Sequence, residues 1–164
     1  MKFIYINKDQ FQLLLNNYYL KDIKWDDRKN LTIVLKEIFN NLEKIYHLNI
    51  NGLYKVEIYI SRKLGAYFNI EKLNDLPFSY HDTELKLIIY QDYPLYLKYT
   101  DSTFLPNVKK AYFYKGSFYI DSKELTLTQI NYALEMGEIY LDENLDLKDK
   151  AKQIRLSSKL LKNN

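Results

Sequence analysis

The clearest hydrophobic pattern in the chain lies in residues 53–73 (LYKVEIYISRKLGAYFNIEKL). Apolar and polar side chains alternate over 54–61, which is the period of a strand with one buried face. The turn around Gly65 leads to a second run over 66–70 that carries the apolar face back. A short glycine-containing connection between two such runs predicts an antiparallel hairpin. Because a lone hairpin is marginally stable in water, we expect a helix to cover its apolar face.

Helical spacing of apolar residues predicts two helices before this hairpin. The first is expected to follow a short strand at 2–7, with apolar residues at i, i+3, i+4, i+7 and i+8: Phe11, Leu14, Leu15, Tyr18 and Tyr19. The second, over 27–47, begins at Asp26 and Asp27, which suit a helix N-terminus. Its apolar side consists of Leu31, Val34, Leu35, Ile38, Leu42, Ile45 and Tyr46.

A polar stretch containing Pro77 lies in the middle of the chain, at 74–83. With 164 residues, the chain is expected to form one compact unit, or two small subdomains over 1–76 and 84–164 joined at 77–83.

Five further strands are predicted in the second half. Residues 85–90 (LKLIIY) are almost wholly apolar and predict a central strand, and 95–99 alternates again. A second hairpin is expected over 111–121 (AYFYKGSFYID), and 138–141 favours a last strand. The fold class is therefore α+β, with small antiparallel sheets and amphipathic helices packed on one face.

Two helices are predicted among these strands. Thr126 and Gln129 have the spacing of a capping box, and Gly137 stands where a helix C-cap is expected. The C-terminal segment 145–164 has apolar residues on one side of a helix and a basic stripe on another, formed by Lys148, Lys152, Arg155, Lys159 and Lys162.

Charge and composition narrow the class of protein. The formal net charge is +3, yet 145–164 holds six cations against two carboxylates, so the remaining chain is close to neutral. A neutral body is not typical of a domain that coats nucleic acid. The chain has no cysteine and no apolar run of about 20 residues, which favours a cytoplasmic protein without a transmembrane helix. The seventeen tyrosines are explained by AT-rich codons, as in a low-GC bacterium.

Catalytic motifs are scarce in the sequence. The four glycines form no phosphate loop or dinucleotide fingerprint. The polar residues His81, Asp82 and Glu84 are the best candidates for catalysis or metal binding, although a solvated loop is the stronger interpretation of them. His47, at the end of the long helix, is given a structural role. We therefore expect no catalytic residue, no cofactor and no metal.

Two surfaces are candidates for partner binding. The first is the second hairpin, through Tyr112, Tyr114 and Tyr119, because tyrosine combines apolar area with a polar tip. Cross-strand packing explains the same residues without a partner. The second is the basic stripe, which suits nucleic acid, an anionic surface or an acidic partner, or is a solvated helix face.

The order of elements resembles that of the MecA-type adaptors of the Clp protease machinery. The N-terminal similarity lies in MKFIYIN, in YLKDIKWDD and in the long helix before a glycine-led hairpin. The C-terminal similarity lies in AYFYKGSFYID and in the helix opened by Thr126 and Gln129. This resemblance implies a non-enzymatic adaptor that binds proteins.

Three hypotheses of function follow from the sequence. The first is a protein-binding adaptor or regulator that acts through the tyrosine-rich hairpin and the basic C-terminal helix. The alternative is a nucleic-acid-binding protein that uses the basic stripe. The third, an enzyme built on His81, Asp82 and Glu84, has the least support.

Overall fold

The computed structural model divides into two compact units, Met1–Asp92 and Tyr93–Asn164. It describes residues 2–17, 20–21, 23–25, 27–47, 50–61, 63–73, 83–91, 93–142 and 146–156. Each unit contains a five-stranded sheet and at least one helix, so the predicted α+β class is confirmed. No helix in these described ranges is long and apolar enough to cross a membrane.

The first unit consists of one helix and one sheet. In chain order its elements are β1 (Lys2–Asn7), β2 (Gln10–Leu15), α1 (Arg28–Tyr46), β3 (Gly52–Ser61), β4 (Gly65–Lys72) and β5 (Thr83–Gln91). The strand order across the sheet is β1-β2-β4-β3-β5. The predicted first strand, second helix and hairpin are therefore confirmed.

The predicted first helix is wrong, because Gln10–Leu15 forms β2 and pairs with both β1 and β4. Phe11, Leu13 and Leu15 alternate into the apolar core that α1 covers, and Leu14 is buried as well. Because Leu14 on the other face is apolar too, Phe11, Leu14 and Leu15 also satisfy a helical spacing that leaves Leu13 out. Tyr18 and Tyr19, assigned to the same helix, lie outside the described residues.

Helix α1 packs on one face of the first sheet. The Asp27 carboxylate accepts hydrogen bonds from the main-chain N–H groups of Lys29 and Asn30, which caps the helix N-terminus. The residues that the helix buries are Leu31, Leu35, Phe39 and Leu42. The sequence pattern omitted Phe39 and included Ile45, whose side chain is 62% exposed.

Strand β5 corrects two expectations. It pairs with β3 in parallel, so the first sheet is mixed, and it lies at the sheet edge where a central strand was expected. Since β5 belongs to the first sheet, the division between units falls after Asp92. The expected junction at 77–83 lies outside the described residues, apart from Thr83 at the start of β5.

The second unit has its own sheet, with strand order β10-β7-β8-β6-β9. Its strands are β6 (Leu95–Tyr99), β7 (Lys110–Tyr114), β8 (Ser117–Asp121), β9 (Glu138–Leu141) and β10 (Lys152–Arg155). Its helices are α2 (Leu127–Met136) and the single turn α3 (Leu147–Lys150), and 3₁₀ turns occupy Ser102–Phe104 and Ser122–Glu124. The predicted hairpin, short helix and strand at 138–141 are confirmed.

Local chemistry explains why these elements form. Lys115 and Gly116, between β7 and β8, have φ of 46° and 76°, as a tight hairpin turn requires. The main-chain N–H of Thr126 donates to the Gln129 side chain at 2.9 Å, as in the predicted capping box. Gly137 ends α2, and a Cβ there would lie 2.8 Å from the ring of Tyr99.

The predicted long C-terminal helix is wrong. The helix ends after one turn, because Leu147 and Ala151 pack against tyrosines of the second sheet and the chain becomes extended at Ala151. Residues Lys152–Arg155 then pair antiparallel with β7. The basic stripe therefore does not exist as a helical feature over the described residues. Lys159 and Lys162 lie outside them.

Candidate interaction surface on the second unit

One face of the second sheet is rich in tyrosine. The cross-strand pairs Tyr112–Tyr119 and Tyr96–Tyr140 place their members on the same face. We call this the tyrosine face, and its tyrosines are Tyr96, Tyr112, Tyr114, Tyr119 and Tyr140. The turn α3 contributes Leu147 and Ala151 to the same cluster.

Burial separates these tyrosines into two groups. Tyr96 is 1% exposed and Tyr119 is 5% exposed, so both belong to the core of the unit. Tyr119 was expected to contact a partner, and its burial corrects that expectation. Tyr112 and Tyr114 are half-buried and keep part of their surface accessible. The rings of Tyr96 and Tyr112 meet edge to face, with centroids 6.2 Å apart, a stabilising geometry.

An ion pair holds α3 against this face. Lys148 Nζ lies 3.2 Å from Asp121 Oδ2 and 6.0 Å from the centroid of the Tyr112 ring. Burial alone would lower the pKa of Lys148, but the hydrogen bond and charge of Asp121 outweigh it and leave the pKa raised. Asp121 also accepts from the main-chain N–H of Lys123, at 3.0 Å. Lys148 therefore stays protonated, and its positive charge is paired with the Asp121 carboxylate of the same unit.

Asp142 is a second buried carboxylate near this ion pair. It is 3% exposed, and its Oδ2 accepts from the main-chain N–H of Leu147 at 3.0 Å, at the start of α3. The Tyr93 hydroxyl donates to the Asp142 carbonyl at 2.9 Å. Burial first, and then the charges of Asp121 and Asp142, raise the pKa of Tyr96 and keep its hydroxyl protonated. These contacts fix α3 in place.

The edge of the sheet beside the tyrosine face is basic. Arg155 of β10 lies directly opposite Lys110 of β7, so two cations form a cross-strand pair. Lys109, directly before β7, and Lys152 of β10 add two more exposed cations. Among the residues that the structure describes, no carboxylate forms an ion pair with any of these four cations. We call Lys109, Lys110, Lys152 and Arg155 the basic edge.

The first unit holds a polar cluster that the sequence analysis missed. Glu57 on β3 accepts hydrogen bonds from Asn69 at 3.1 Å and forms an ion pair with Lys55 at 2.7 Å. Burial would raise the pKa of Glu57, but hydrogen bonds from Lys55 and Asn69 together lower it. The register of the predicted hairpin could have indicated this contact, because in that register Glu57 lies opposite Asn69.

The first unit also has an apolar pocket beside α1. Its volume is about 330 Å³, and it is lined by aliphatic side chains and one amide: Leu15, Ile23, Val34, Ile38, Asn41, Leu42 and Ile45. Among the residues that the structure describes, Asn41 is the single polar residue in this lining, and none of the lining residues is titratable.

No family model, curated protein or solved structure matches the chain. The resemblance to MecA-type adaptors therefore stays a prediction.

Of the three candidates considered for catalysis, the structure describes one. His81 and Asp82 lie outside it, and Glu84 is an exposed residue of β5. His47 is the C-cap of α1, with a left-handed φ of 54°. Over the described residues, no group of three or more histidine, aspartate or glutamate side chains could hold a metal ion. The features that stand out there are the half-buried tyrosines of the tyrosine face and the exposed cations of the basic edge.

Proposed function

We propose that the protein is a non-enzymatic adaptor or regulator whose second unit binds a protein partner that carries acidic residues. The observation that supports this most strongly is the direct opposition of Lys110 and Arg155. Like charges directly opposite on neighbouring strands destabilise a sheet. A carboxylate from a partner would relieve this repulsion, so the arrangement favours an acidic ligand.

The aromatic residues beside the basic edge support a protein as that ligand. Tyr112 and Tyr114 are half-buried, and they offer apolar area together with a hydroxyl group. Phe113, between them, is 36% exposed on the opposite face. Protein interfaces are enriched in aromatic residues and arginine at their centres. The tyrosine face and the basic edge together supply this composition.

Nucleic acid is the alternative ligand for the same cations. The net charge of the whole chain is only +3, and Lys148 and Lys150 are engaged by Asp121 and Asp146. Because phosphate binding depends on many unpaired cations along a path, this balance favours a protein partner. Reversal of the two opposed cations, with and without nuclease, separates the two ligands.

The test is a double charge reversal, Lys110→Glu together with Arg155→Glu. The double variant keeps two like charges opposite each other, so the pairing energy of β7 and β10 is matched to that of the wild type. The control is Lys29→Glu together with Lys44→Glu on the exposed surface of α1, which changes the net charge equally. The helix dipole favours glutamate at position 29, near the N-terminus of α1, and disfavours it at position 44, near the C-terminus. The two effects on stability therefore oppose each other.

The tagged proteins are used to purify partners from the cell of origin, with and without nuclease. The wild type and the α1 control are expected to retain a stoichiometric protein, and the β7/β10 reversal is expected to lose it. Retention by all three proteins contradicts the proposal. If nuclease removes the bound material, or if the wild type shifts labelled DNA or RNA with a steep salt dependence, the alternative is correct.

A further inference from the structure

We propose that the outer edge of β10 accepts an extended acidic segment of the partner as an additional strand of the second sheet. The inference rests on the proposed function and adds how the partner is bound. In such strand addition, main-chain hydrogen bonds supply affinity and alternate side chains supply specificity. Strand addition therefore requires main-chain N–H and C=O groups of β10 that point away from β7.

The hydrogen-bond pattern shows which main-chain groups of β10 face outward. The N–H of Leu156 donates to the carbonyl of Lys109 at 3.2 Å, so this is a hydrogen-bonded pair. In an antiparallel ladder such pairs alternate with pairs that make no hydrogen bond. The pairs Ile154–Ala111 and Lys152–Phe113 therefore continue the ladder to β7. The N–H and C=O groups of Gln153 and Arg155 consequently point away from β7.

This outward side is accessible. β10 is the last strand in the sheet order, and among the described residues no strand pairs with it on the side away from β7. Its side chains at Lys152, Gln153 and Arg155 are exposed. An incoming strand could thus reach the two outward peptide groups without displacing any described element.

Charge selects an acidic strand for this edge. A residue of the added strand opposite Arg155 would lie about 5 Å from it between Cβ atoms, on the same face as Lys110 of the next strand. Lys152 offers a cation to the other face of the same strand. A second copy of this chain is a poor occupant, because pairing two β10 edges would bring these cations together.

The other edge of the second sheet provides a contrast. Strand β9 carries Glu138, whose carboxylate lies 3.6 Å from Lys98 Nζ, and its remaining residues are half-buried. An acidic segment would be repelled there. The two edges of one sheet thus differ in charge, and only β10 suits an acidic strand.

The probe is a labelled peptide of about eight residues, the length of a strand, in which glutamate and valine alternate. Fluorescence anisotropy is expected to show binding to the full chain. Binding should be at least about tenfold weaker for the matching lysine–valine peptide, because its charge is reversed. It should also be at least about tenfold weaker for a glutamate–valine peptide with alternate peptide nitrogens methylated, because the main-chain donors are lost.

The matching change in the protein is Gln153→Pro, with Gln153→Ala as control. Proline is tolerated on an edge strand when its missing N–H would face solvent, so the ladder to β7 is kept. Gln153→Pro is expected to weaken glutamate–valine binding at least about tenfold, whereas Gln153→Ala binds like the wild type. Circular dichroism and urea unfolding establish that both variants are folded.

The outcomes separate the inference from the proposed function. If the methylated peptide binds the wild type as tightly as the unmethylated one, strand addition is wrong, whatever the folding of Gln153→Pro. If Gln153→Pro keeps the cellular partner that the Lys110→Glu/Arg155→Glu variant loses, the partner binds by charge and not as a strand. If neither variant loses a partner, the proposed function itself fails.

Discussion

Lys148 and Asp121 form the ion pair that fastens α3 to the tyrosine face, with 3.2 Å between Nζ and Oδ2. Lys148 comes from the turn before β10, whereas Asp121 ends β8. The pair therefore connects the C-terminal segment to the centre of the second sheet. It also places α3 over Tyr112, so that the tyrosine is half-buried.

Asp121→Asn tests the contribution of this ion pair to stability. The amide oxygen can still accept from the Lys123 N–H, so the change removes mainly the charge. Because the Lys148 side chain is half exposed, solvent screening limits the expected loss to about 0.5 kcal/mol in the free energy of unfolding. Urea unfolding measures it, and high salt should reduce the difference between the two proteins.

The control for this variant is Asp146→Asn, which removes the exposed partner of Lys150 in the same turn. A loss for Asp146→Asn as large as that for Asp121→Asn would mean that the buried position of Asp121 adds nothing.

The sequence predicts best those elements whose pattern admits one period. The hairpin of β3 and β4 alternates cleanly, and α1 has a capped start and an uninterrupted apolar stripe. Strand β2 was missed because Phe11, Leu13 and Leu15 satisfy the period of a strand, whereas Phe11, Leu14 and Leu15 satisfy that of a helix. Pairing with β1 and β4 makes the segment a strand. The pairing with β4 depends on residues about 55 positions further along the chain, which the local pattern does not include.

The basic edge could not be predicted for the same reason. Arg155 and Lys110 are distant in sequence and meet only because the C-terminal segment returns to pair with β7. Lys152 and Arg155 were singled out for their charge, but a helical period was assumed for 145–164, and Lys109 and Lys110 were not singled out at all. For Tyr119, the hairpin that carries it was predicted correctly. Its burial was not, because the packing of α3 on this face was not foreseen.

Gly65→Ala is expected to destabilise the first unit strongly. A Cβ on Gly65 would lie 2.0 Å from the main-chain oxygen of Leu15, and its φ of +100° is unfavourable for alanine. Both β4 and the end of β2 would have to shift, at a cost of about 3 kcal/mol. Urea unfolding of the variant and of the wild type measures this difference.

Gly116→Ala is the matched control for this change. Its φ is +76°, but no heavy atom lies within 4 Å of the added Cβ, so only the conformational cost of about 1 kcal/mol remains. Equal losses for the two variants would show that the approach of Leu15 to Gly65 is not tight.

Glu57 is expected to make the stability of the first unit depend on pH. Hydrogen bonds from Lys55 and Asn69 lower its pKa below the ordinary value of 4.5, so its folded-state pKa lies below that of the unfolded chain. Its contribution is present above pH 4.5 and is lost as the pH falls through the folded-state pKa. Unfolding by urea, measured from neutral pH down to about pH 3, follows this loss.

Glu57→Gln should remove that part of the pH dependence, so the wild type and the variant converge in stability as the pH falls. The control is Glu84→Gln, which removes an exposed carboxylate of β5 and changes the net charge equally. A wild-type profile parallel to that of Glu57→Gln over the whole range contradicts the assignment.

Lys110→Glu alone should change stability and partner affinity in opposite directions. It replaces the like-charge pair with Arg155 by an ion pair across β7 and β10, which is expected to add about 0.5 kcal/mol to the free energy of unfolding. The same substitution places a carboxylate where the acidic partner is proposed to bind, so affinity for the glutamate–valine peptide should fall. Urea unfolding and fluorescence anisotropy measure the two quantities on one preparation.

Natural proteins commonly sacrifice stability at binding sites, and a gain in stability with a loss of binding would identify the Lys110–Arg155 pair as such a site. A variant that gains stability and keeps its affinity would instead assign the two cations to protection of an exposed sheet edge.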